Sequence, residues 1–172
     1  MTNAEKIQLR KLMLSDITPK YVESLNDQNV MKFTESRGIF WDLRKLKTYV
    51  NYQGVDSILM GIFLEGHHIG SVRIHSINKK NSRCDLGILI FDTNYWNQGI
   101  GSKALRLAAD YIFKELNLNK ISANYFENNL ASAKLFQRLG FRKIGQLEDH
   151  FKISEDSFQN AIIVELLRKN HG

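Results

Sequence analysis

The stretch FDTNYWNQGIGS, residues 91–102, decides the fold of this chain. An apolar run, residues 86–91, precedes it, and apolar residues at helical spacing follow it. A strand that leads through Gly-x-Gly directly into a helix leaves several backbone N–H groups without acceptors, all pointing the same way. Gly99 and Gly101 let a phosphate approach the main chain closely and allow positive φ. The pattern predicts a phosphate cradle, although a plain strand-to-helix turn uses glycine in the same way.

Length and composition predict a single domain over residues 1–172. With 43% hydrophobic and 24% charged residues, the chain is long enough for one core and too short for two. No apolar run reaches membrane-spanning length, and the N-terminal residues lack the apolar core of a signal peptide. We therefore expect a cytoplasmic protein without a membrane partner. The single Cys84 lies in a strand pattern and is interpreted as a packed residue rather than a nucleophile.

The formal charge of +6 favours an anionic partner such as a nucleotide or a phosphorylated cofactor. The basic residues are scattered along the chain, so no nucleic-acid surface is expected. The cysteine and histidine spacing predicts no metal site.

Hydrophobic periodicity divides the chain into strands and helices. Thr18 before Pro19, and Asp42, are typical helix N-caps, and Gly140 is a typical C-cap. The predicted strands are 7–14, 58–64, 69–77, 84–91, 120–126, 141–147 and 161–167. The predicted helices are 19–26, a short helix and loop within 27–41, one from residue 42, one from after residue 101 to about 116, and 129–139. Three consecutive strands before the cradle indicate a mixed α/β (α+β) sheet rather than a doubly wound one.

Two separated motifs resemble those of the GNAT superfamily of acyl-CoA N-acyltransferases. WNQGIG, residues 96–101, is similar to the family's Gln/Arg-x-x-Gly-x-Gly/Ala motif, with Trp96 at the Gln/Arg position. Tryptophan there is familiar in the subgroup of ribosomal-protein-alanine and nucleotide amino-sugar acetyltransferases. About thirty residues later, NLASAKLFQRLGF resembles the family's Asn-x-x-Ser and Leu-Gly-Phe motif, carried here by Asn129, Ser132 and residues 139–141.

The resemblance implies a fold and a co-substrate. The expected fold is a mostly antiparallel sheet of about seven strands with a central splay, flanked by about four helices. The expected co-substrate is acetyl-CoA, with its pyrophosphate on the cradle and its pantetheine arm along the strand before it, where backbone N–H groups stabilise the oxyanion. The residues expected to bind it are Leu89, Ile90, Phe91, Trp96, Asn97, Gln98, Gly99, Ile100, Gly101, Ser102, Asn129, Ser132 and Phe136. For Asn129, a role as helix N-cap is equally compatible.

The implied reaction is direct attack of a neutral primary amine on the thioester, without a metal or a covalent enzyme intermediate. Family members often place a tyrosine, as general acid, where this chain has Phe136, so Tyr125 or a water is the candidate acid. Asp85 and Glu35 are the candidate bases, and a solvated surface carboxylate is the alternative for each. His75 and His150 are further candidate bases and rank below the acids, because strand histidines are often structural.

The acceptor is expected to bind near Glu35, Ser36 and Arg37. The region before the sheet resembles nucleotide amino-sugar, ribosomal-protein and, less closely, spermidine acetyltransferases. Since a positive net charge disfavours a polycation, we rank an amino sugar or other small amine first, with Arg37 near a diphosphate, then a protein N-terminus, then a polyamine. A non-catalytic acyl-CoA-binding protein is the alternative of another class. Exposed sheet edges favour a homodimer.

Overall fold

The computed structural model describes residues 7–172, which form seven strands, four longer helices and a single-turn helix. The strands are β1 (Ile7–Lys11), β2 (Ile58–Leu64), β3 (His67–Asn78), β4 (Arg83–Ile90), β5 (Lys120–Phe126), β6 (Arg142–Ser154) and β7 (Ser157–Leu167). The helices are α1 (Pro19–Asn26), α2 (Gln28–Met31), α3 (Leu43–Asn51), α4 (Ile100–Lys114) and α5 (Leu130–Arg138).

The strands form one sheet in the order β1-β2-β3-β4-β5-β7-β6. Each neighbouring pair is antiparallel except β4 with β5. That parallel pair is joined only from Arg83–Lys120 to Asp85–Ser122, so the rest of both strands diverges. The mixed, mostly antiparallel sheet and its central splay are confirmed.

Helices cover both faces of the sheet. On one face, α4 packs Ile100, Ala104, Leu105, Ala108 and Ile112 against β2, β3, β4 and β5. Their spacing of three to four residues makes one apolar stripe on the helix, which is why this segment is amphipathic. On the other face, α1 and α3 form a second cluster with residues of β2 and the end of β4. The cradle strand β4 therefore lies in the middle of three layers.

The predicted caps are present. Thr18 Oγ1 accepts from the Tyr21 N–H at 3.2 Å, and Asp42 Oδ1 accepts from the Lys45 N–H at 2.7 Å. Each satisfies a helix N–H that has no intrahelical acceptor, which is typically worth about 1 kcal/mol. Gly140 follows α5 with φ of 82°, as a C-cap requires.

Three predicted boundaries were wrong. β1 ends at Lys11, because a 3-10 turn, Leu14–Asp16, follows and Asp16 pairs with Arg10 at 2.7 Å. The four residues EGHH, 65–68, lie between the predicted strands 58–64 and 69–77, but the connection is a two-residue turn, Glu65 and Gly66, both with positive φ, and the histidines belong to β3. The segment SEDSFQN, residues 154–160, lies between the last two predicted strands but is not a loop, since β6 and β7 continue to a tight turn at residues 155–156. Its polar side chains lie on a solvent-exposed ribbon, where composition resembles that of a loop.

Within residues 7–172, no helix combines the length and apolar character needed to cross a bilayer. Residues 1–6 of the predicted domain lie outside the described part of the chain. The expected homodimer stays a prediction.

Candidate active site

A cavity of about 450 Å³ lies where β4 and β5 separate. Side chains alternate between the faces of a strand. Even-numbered residues of β4, such as Cys84 and Leu86, pack in the α4 cluster, whereas Leu89 packs against the α1 and α3 cluster. The cavity is lined by residues of both sets, including Asp85, Leu86 and Leu89. It therefore passes through the sheet at the splay, with one side towards α3 and the other towards α5.

Charged and polar side chains line the α3 side. Arg73 and His75 come from β3, Asp85 comes from β4, and Glu35 comes from the loop after α2. His75 and Asp85 are directly opposite in the β3–β4 register. Opposed side chains on one face of an antiparallel pair are within interaction distance. The sequence predicted Glu35 and Asp85 separately, and the fold brings them to one wall.

Arg73 is held along the edge of this wall. Its Nε donates to Ser57 Oγ at 3.3 Å, and its guanidinium lies 5.7 Å from the centre of the Tyr49 ring. The guanidinium is thus already engaged, whereas Glu35 and Asp85 form no ion pair with any described residue. Neither partner of Arg73 is anionic, so its charge remains, and Glu35 and Asp85 together with Arg73 give this wall one net negative charge.

The α5 side is more apolar. Tyr125 of β5 and Phe136 of α5 line it together with Asn129 and Ser132. Asn129 Oδ1 accepts from the Ser132 N–H at 3.1 Å, so the N-cap interpretation of Asn129 is confirmed. Its position on the cavity wall leaves it in reach of a bound molecule as well.

Only part of the predicted backbone contact surface faces the splay. The Phe91 N–H donates to Ile69 O at 3.1 Å, on the β3 side. Because backbone groups alternate between the two edges of a strand, Leu89 also faces β3, while Ile88 and Ile90 face the open edge. The prediction of Phe91 and Leu89 as main-chain contacts is corrected accordingly: the free N–H groups at the splay belong to Ile88 and Ile90.

The backbone of the predicted phosphate cradle has positive φ at two positions. Gly99 is the N-cap of α4 with φ of 76°, and Asn97 also has positive φ, 60°. The first N–H groups of α4, including those of Ile100 and Ser102, have no acceptor within the helix. Gly101, in contrast, lies inside α4, and a Cβ there would meet Leu135 methyl carbons at 3.7 Å, an ordinary contact. The predicted positive φ applies to Gly99 and not to Gly101.

Side chains of the cradle stretch hold its loop in place. Trp96 Nε1 donates to Ile90 O at 2.8 Å, and Gln98 Nε2 donates to Asn94 O at 2.6 Å. The buried Asp92 pairs with Lys20 of α1. The side chains of Trp96 and Gln98 therefore stabilise the loop. The exposed backbone N–H groups stay available to an anion.

A second cavity of about 380 Å³ begins at Gly99 and runs between α4 and α5. Lys103, Arg106 and Arg138 line it. Its one carboxylate, Asp110, is paired with Lys114 at 2.7 Å and lies 3.2 Å from His171 Nε2. Positive charge thus continues from the cradle along α4, a feature that the scattered basic residues of the sequence did not reveal.

Burial sets the protonation of three groups near the splay. It raises the pKa of Tyr125, so the phenol stays protonated at neutral pH. It lowers the pKa of His75, so the imidazole is neutral there, and Asp85 partly opposes this effect. It raises the pKa of the Cys84 thiol to about 12, which confirms that this cysteine is a packed residue rather than a nucleophile.

The three residues predicted to bind the acceptor amine do not all line the cavity. Glu35 and Ser36 line the cavity, but Arg37 does not. Its guanidinium donates to the carbonyl groups of Thr34 and Lys152 and stacks 4.9 Å from the Phe126 ring centre. Arg37 thus connects its loop to β6. None of its contacts with described residues supports the predicted diphosphate contact.

Sequence reasoning missed Ser71, Arg73 and Tyr49 as cavity residues. Ser71, Arg73 and His75 alternate with buried Val72 and Ile74. That alternation shows a polar face on β3 and was the available signal. It did not show that this face borders the splay, because strand order is a tertiary property.

The family model of the acetyltransferase (GNAT) domain matches residues 6–142 of the chain. The chain belongs to the GNAT acetyltransferase family. GNAT acetyltransferases take the acetyl group from acetyl-CoA, so the protein is an acyltransferase with acetyl-CoA as co-substrate. Among residues 7–172, no cluster of three or more His, Cys, Asp or Glu side chains could hold a metal ion.

Relatives of this GNAT protein include a spermidine N(1)-acetyltransferase of Escherichia coli. It is 30% identical over 166 residues, which cover 94% of this chain and 86% of that protein. An uncharacterized N-acetyltransferase, p20 of Bacillus licheniformis, is 37% identical over 104 residues, 60% of this chain and 57% of that protein. The structure of a Vibrio cholerae spermidine N-acetyltransferase in complex with CoA and spermine superposes with a TM-score of 0.86 at 21% identity, covering 96% and 98% of the two chains. That likeness establishes a shared fold.

Proposed function

We propose that the protein transfers the acetyl group of acetyl-CoA to a primary amine of a polyamine or a similar aliphatic cation. The observation that carries this proposal is the α3 side of the splay cavity, where two carboxylates, Glu35 and Asp85, outnumber the single guanidinium of Arg73 and form no ion pair with any described residue. Two unpaired carboxylates attract a cation and align its ammonium groups. The spermidine acetyltransferases among the relatives support the same acceptor class.

This proposal reverses the order of acceptors inferred from sequence. The earlier order relied on the net charge of +6, which is a property of the whole chain. A ligand in a cavity responds mainly to the charges within a few ångströms, since solvent screens the more distant ones. The amino-sugar acceptor finds no support here, because Arg37 is engaged with two backbone carbonyls and lies off the cavity wall.

Acetyl-CoA would enter from the α5 side. The cradle at Gly99 would bind the pyrophosphate, and the pantetheine arm would follow β4 back towards Asp85 along the open edge. The part of β4 that pairs with β3 but has no β5 partner, residues 86–90, is roughly 17 Å long at about 3.3 Å per residue and offers the arm an open strand edge. The basic cavity beside α4 would take the 3′-phosphate of the adenosine, the remaining anionic group of CoA.

The reaction is a direct transfer. The amine nitrogen attacks the thioester carbonyl, the N–H group of Ile88 donates to the oxyanion, and the C–S bond then breaks. The attacking nitrogen loses a proton on the α3 side, where Asp85 and Glu35 are candidate acceptors. Tyr125, protonated at neutral pH, would return a proton to the departing thiolate on the α5 side.

Thiol release from acetyl-CoA tests the proposal across matched amines: spermidine, spermine, a nucleotide-linked amino sugar and a peptide with a free N-terminus. We expect the highest kcat/KM with a polyamine. Glu35→Gln should raise KM for the polyamine about tenfold, and Glu148→Gln is a control outside the cavity. A higher kcat/KM for the amino sugar or the peptide would overturn the acceptor class.

A further inference from the structure

His75 has the position of a proton acceptor. It lies on the α3 side of the splay, in the same wall as Asp85 and Glu35. Asp85 is the last residue of β4 paired with β5, so His75, which is opposite Asp85, lies beside the point where the strands separate. The N–H group that would hold the thioester oxygen, that of Ile88, lies three residues further along β4, on its open edge. An acceptor amine on the α3 side would therefore meet His75 on its way to the thioester.

The ring of His75 is held at one nitrogen. Its Nδ1 is 3.2 Å from Ser76 Oγ, and Ser76 has φ of 51°, at the irregularity that ends the regular β3–β4 register. When Nδ1 carries the proton and donates to this hydroxyl, Nε2 keeps its lone pair. Nε2 forms no hydrogen bond with any described residue.

The charged groups around His75 favour uptake of a proton from a bound ammonium. Asp85 of β4, Glu35 of the loop after α2 and Asp56 before β2 all favour the protonated ring, and Arg73 of β3 opposes it. Partial burial has the larger effect and keeps the ring neutral at pH 7, ready to accept. Three carboxylates then stabilise the imidazolium that forms.

We propose that His75 is the general base of the acetyl transfer and that Asp85 orients it and stabilises its protonated form. The bound ammonium gives one proton to Nε2, and the neutral amine attacks the carbonyl carbon to form the N–C bond and the oxyanion. The C–S bond then breaks, the nitrogen loses its second proton to water, and the thiolate takes a proton from Tyr125, which solvent restores. The imidazolium later returns its proton to solvent. Imidazole is ordinarily a stronger base than a carboxylate, since their usual pKa values are about 6.5 and about 4.

The inference rests on the proposed transfer to an amine and is tested by His75→Gln, with His67→Gln on the same strand as the control. We expect kcat/KM for spermidine to fall about 10²-fold to 10⁴-fold in His75→Gln and to stay native in the control. The acidic limb of the pH profile should disappear with His75, while the rise in melting temperature on adding acetyl-CoA persists.

Asp85→Asn gives a second reading that does not depend on removing the base. Because Asp85 favours the protonated ring, its loss should move the acidic limb to lower pH while turnover remains measurable. An acidic limb that stayed at its native pH in both His75→Gln and Asp85→Asn would overturn the assignment of His75 as base. It would leave the proposed function standing. A native protein that transfers acetyl to no amine would overturn the proposed function and this inference together.

Discussion

The rings of Tyr125 and Phe136 stack nearly parallel, 16° apart, with their centroids 5.8 Å from each other. Phe136 is buried, and it also packs edge-on against Phe141. It thus supports the one hydroxyl-bearing ring on the α5 side of the cavity. Phe136, which cannot donate a proton, therefore packs against Tyr125, which can.

Tyr125→Phe is expected to lower kcat at least tenfold with little change in the binding of acetyl-CoA. The phenol would protonate the thiolate, and burial keeps its pKa above the ordinary value of 10.0, so it holds this proton throughout the neutral range. Steady-state kinetics from pH 6 to 9 would measure the loss. Tyr111→Phe, on α4 and outside the cavity, is the matched control. A native kcat in Tyr125→Phe would leave proton donation to a water.

Gly99→Glu is expected to abolish the rise in melting temperature on adding acetyl-CoA. The carboxylate would repel the pyrophosphate, and the left-handed φ of 76° adds strain of about 1–2 kcal/mol for most side chains. Gly99→Asn separates these effects, because asparagine tolerates this conformation and carries no charge.

Gly101→Ala supplies the opposite control for the cradle. Since its Cβ would have ordinary contacts and the position is helical, the variant should keep the acetyl-CoA shift and unfold at the same or a higher temperature. An undiminished shift in Gly99→Glu would contradict the cradle assignment.

Lys103→Met is expected to reduce discrimination between acetyl-CoA and its 3′-dephospho form. A charge-assisted contact to the phosphate should be worth roughly 1–2 kcal/mol, about a tenfold difference in Kd at low salt. Isothermal titration with both ligands gives the ratio. Lys114→Met is the control, because Lys114 is on the same helix but pairs with Asp110. Equal loss of affinity for both ligands would argue against a 3′-phosphate contact.

Acid is expected to destabilise the protein through His68. The rings of Tyr21, Phe63 and Phe91 surround this imidazole, and burial lowers its pKa from 6.5 to about 4. Between these values the unfolded chain binds more protons than the folded one, so stability falls as pH falls. The loss from pH 7 to pH 5 is roughly 2 kcal/mol for this group.

Urea unfolding at several pH values would measure this effect. In His68→Phe the part of the slope between pH 6.5 and 4 that comes from His68 should vanish, whereas His150→Gln, at an exposed histidine, should keep it. An unchanged slope in His68→Phe would show that other groups control the acid sensitivity.

Local chemistry accounts for the features that the sequence predicted correctly. The caps at Thr18, Asp42 and Asn129 need only a side-chain oxygen two or three residues before an N–H, and the positive φ at Gly99 is a property of one residue. Such features are encoded within a few positions. The motif resemblance then extended them to the whole sheet.

Features of the site that depend on contacts between distant segments were predicted less well. Arg37 was expected to face a ligand, and its guanidinium is instead engaged by Lys152, more than a hundred positions later. Arg73 and Ser71 gave only an alternating pattern, and the net charge of +6 gave no indication that two carboxylates, Glu35 and Asp85, share the cavity wall. No local pattern specifies which polar face will border the gap between β4 and β5.

The sequence by itself determined the GNAT assignment, because two short motifs carry it, and the succession of helices and strands along the chain, because each element follows from local hydrophobic periodicity. The acetyl-CoA cradle at Gly99 stays a prediction. Only the tertiary structure decided where β4 and β5 separate, that Glu35, His75 and Asp85 share one wall, and that Tyr125 lies on the other. These relationships arise from strand order and register, which bring residues from distant parts of the chain into a single cavity.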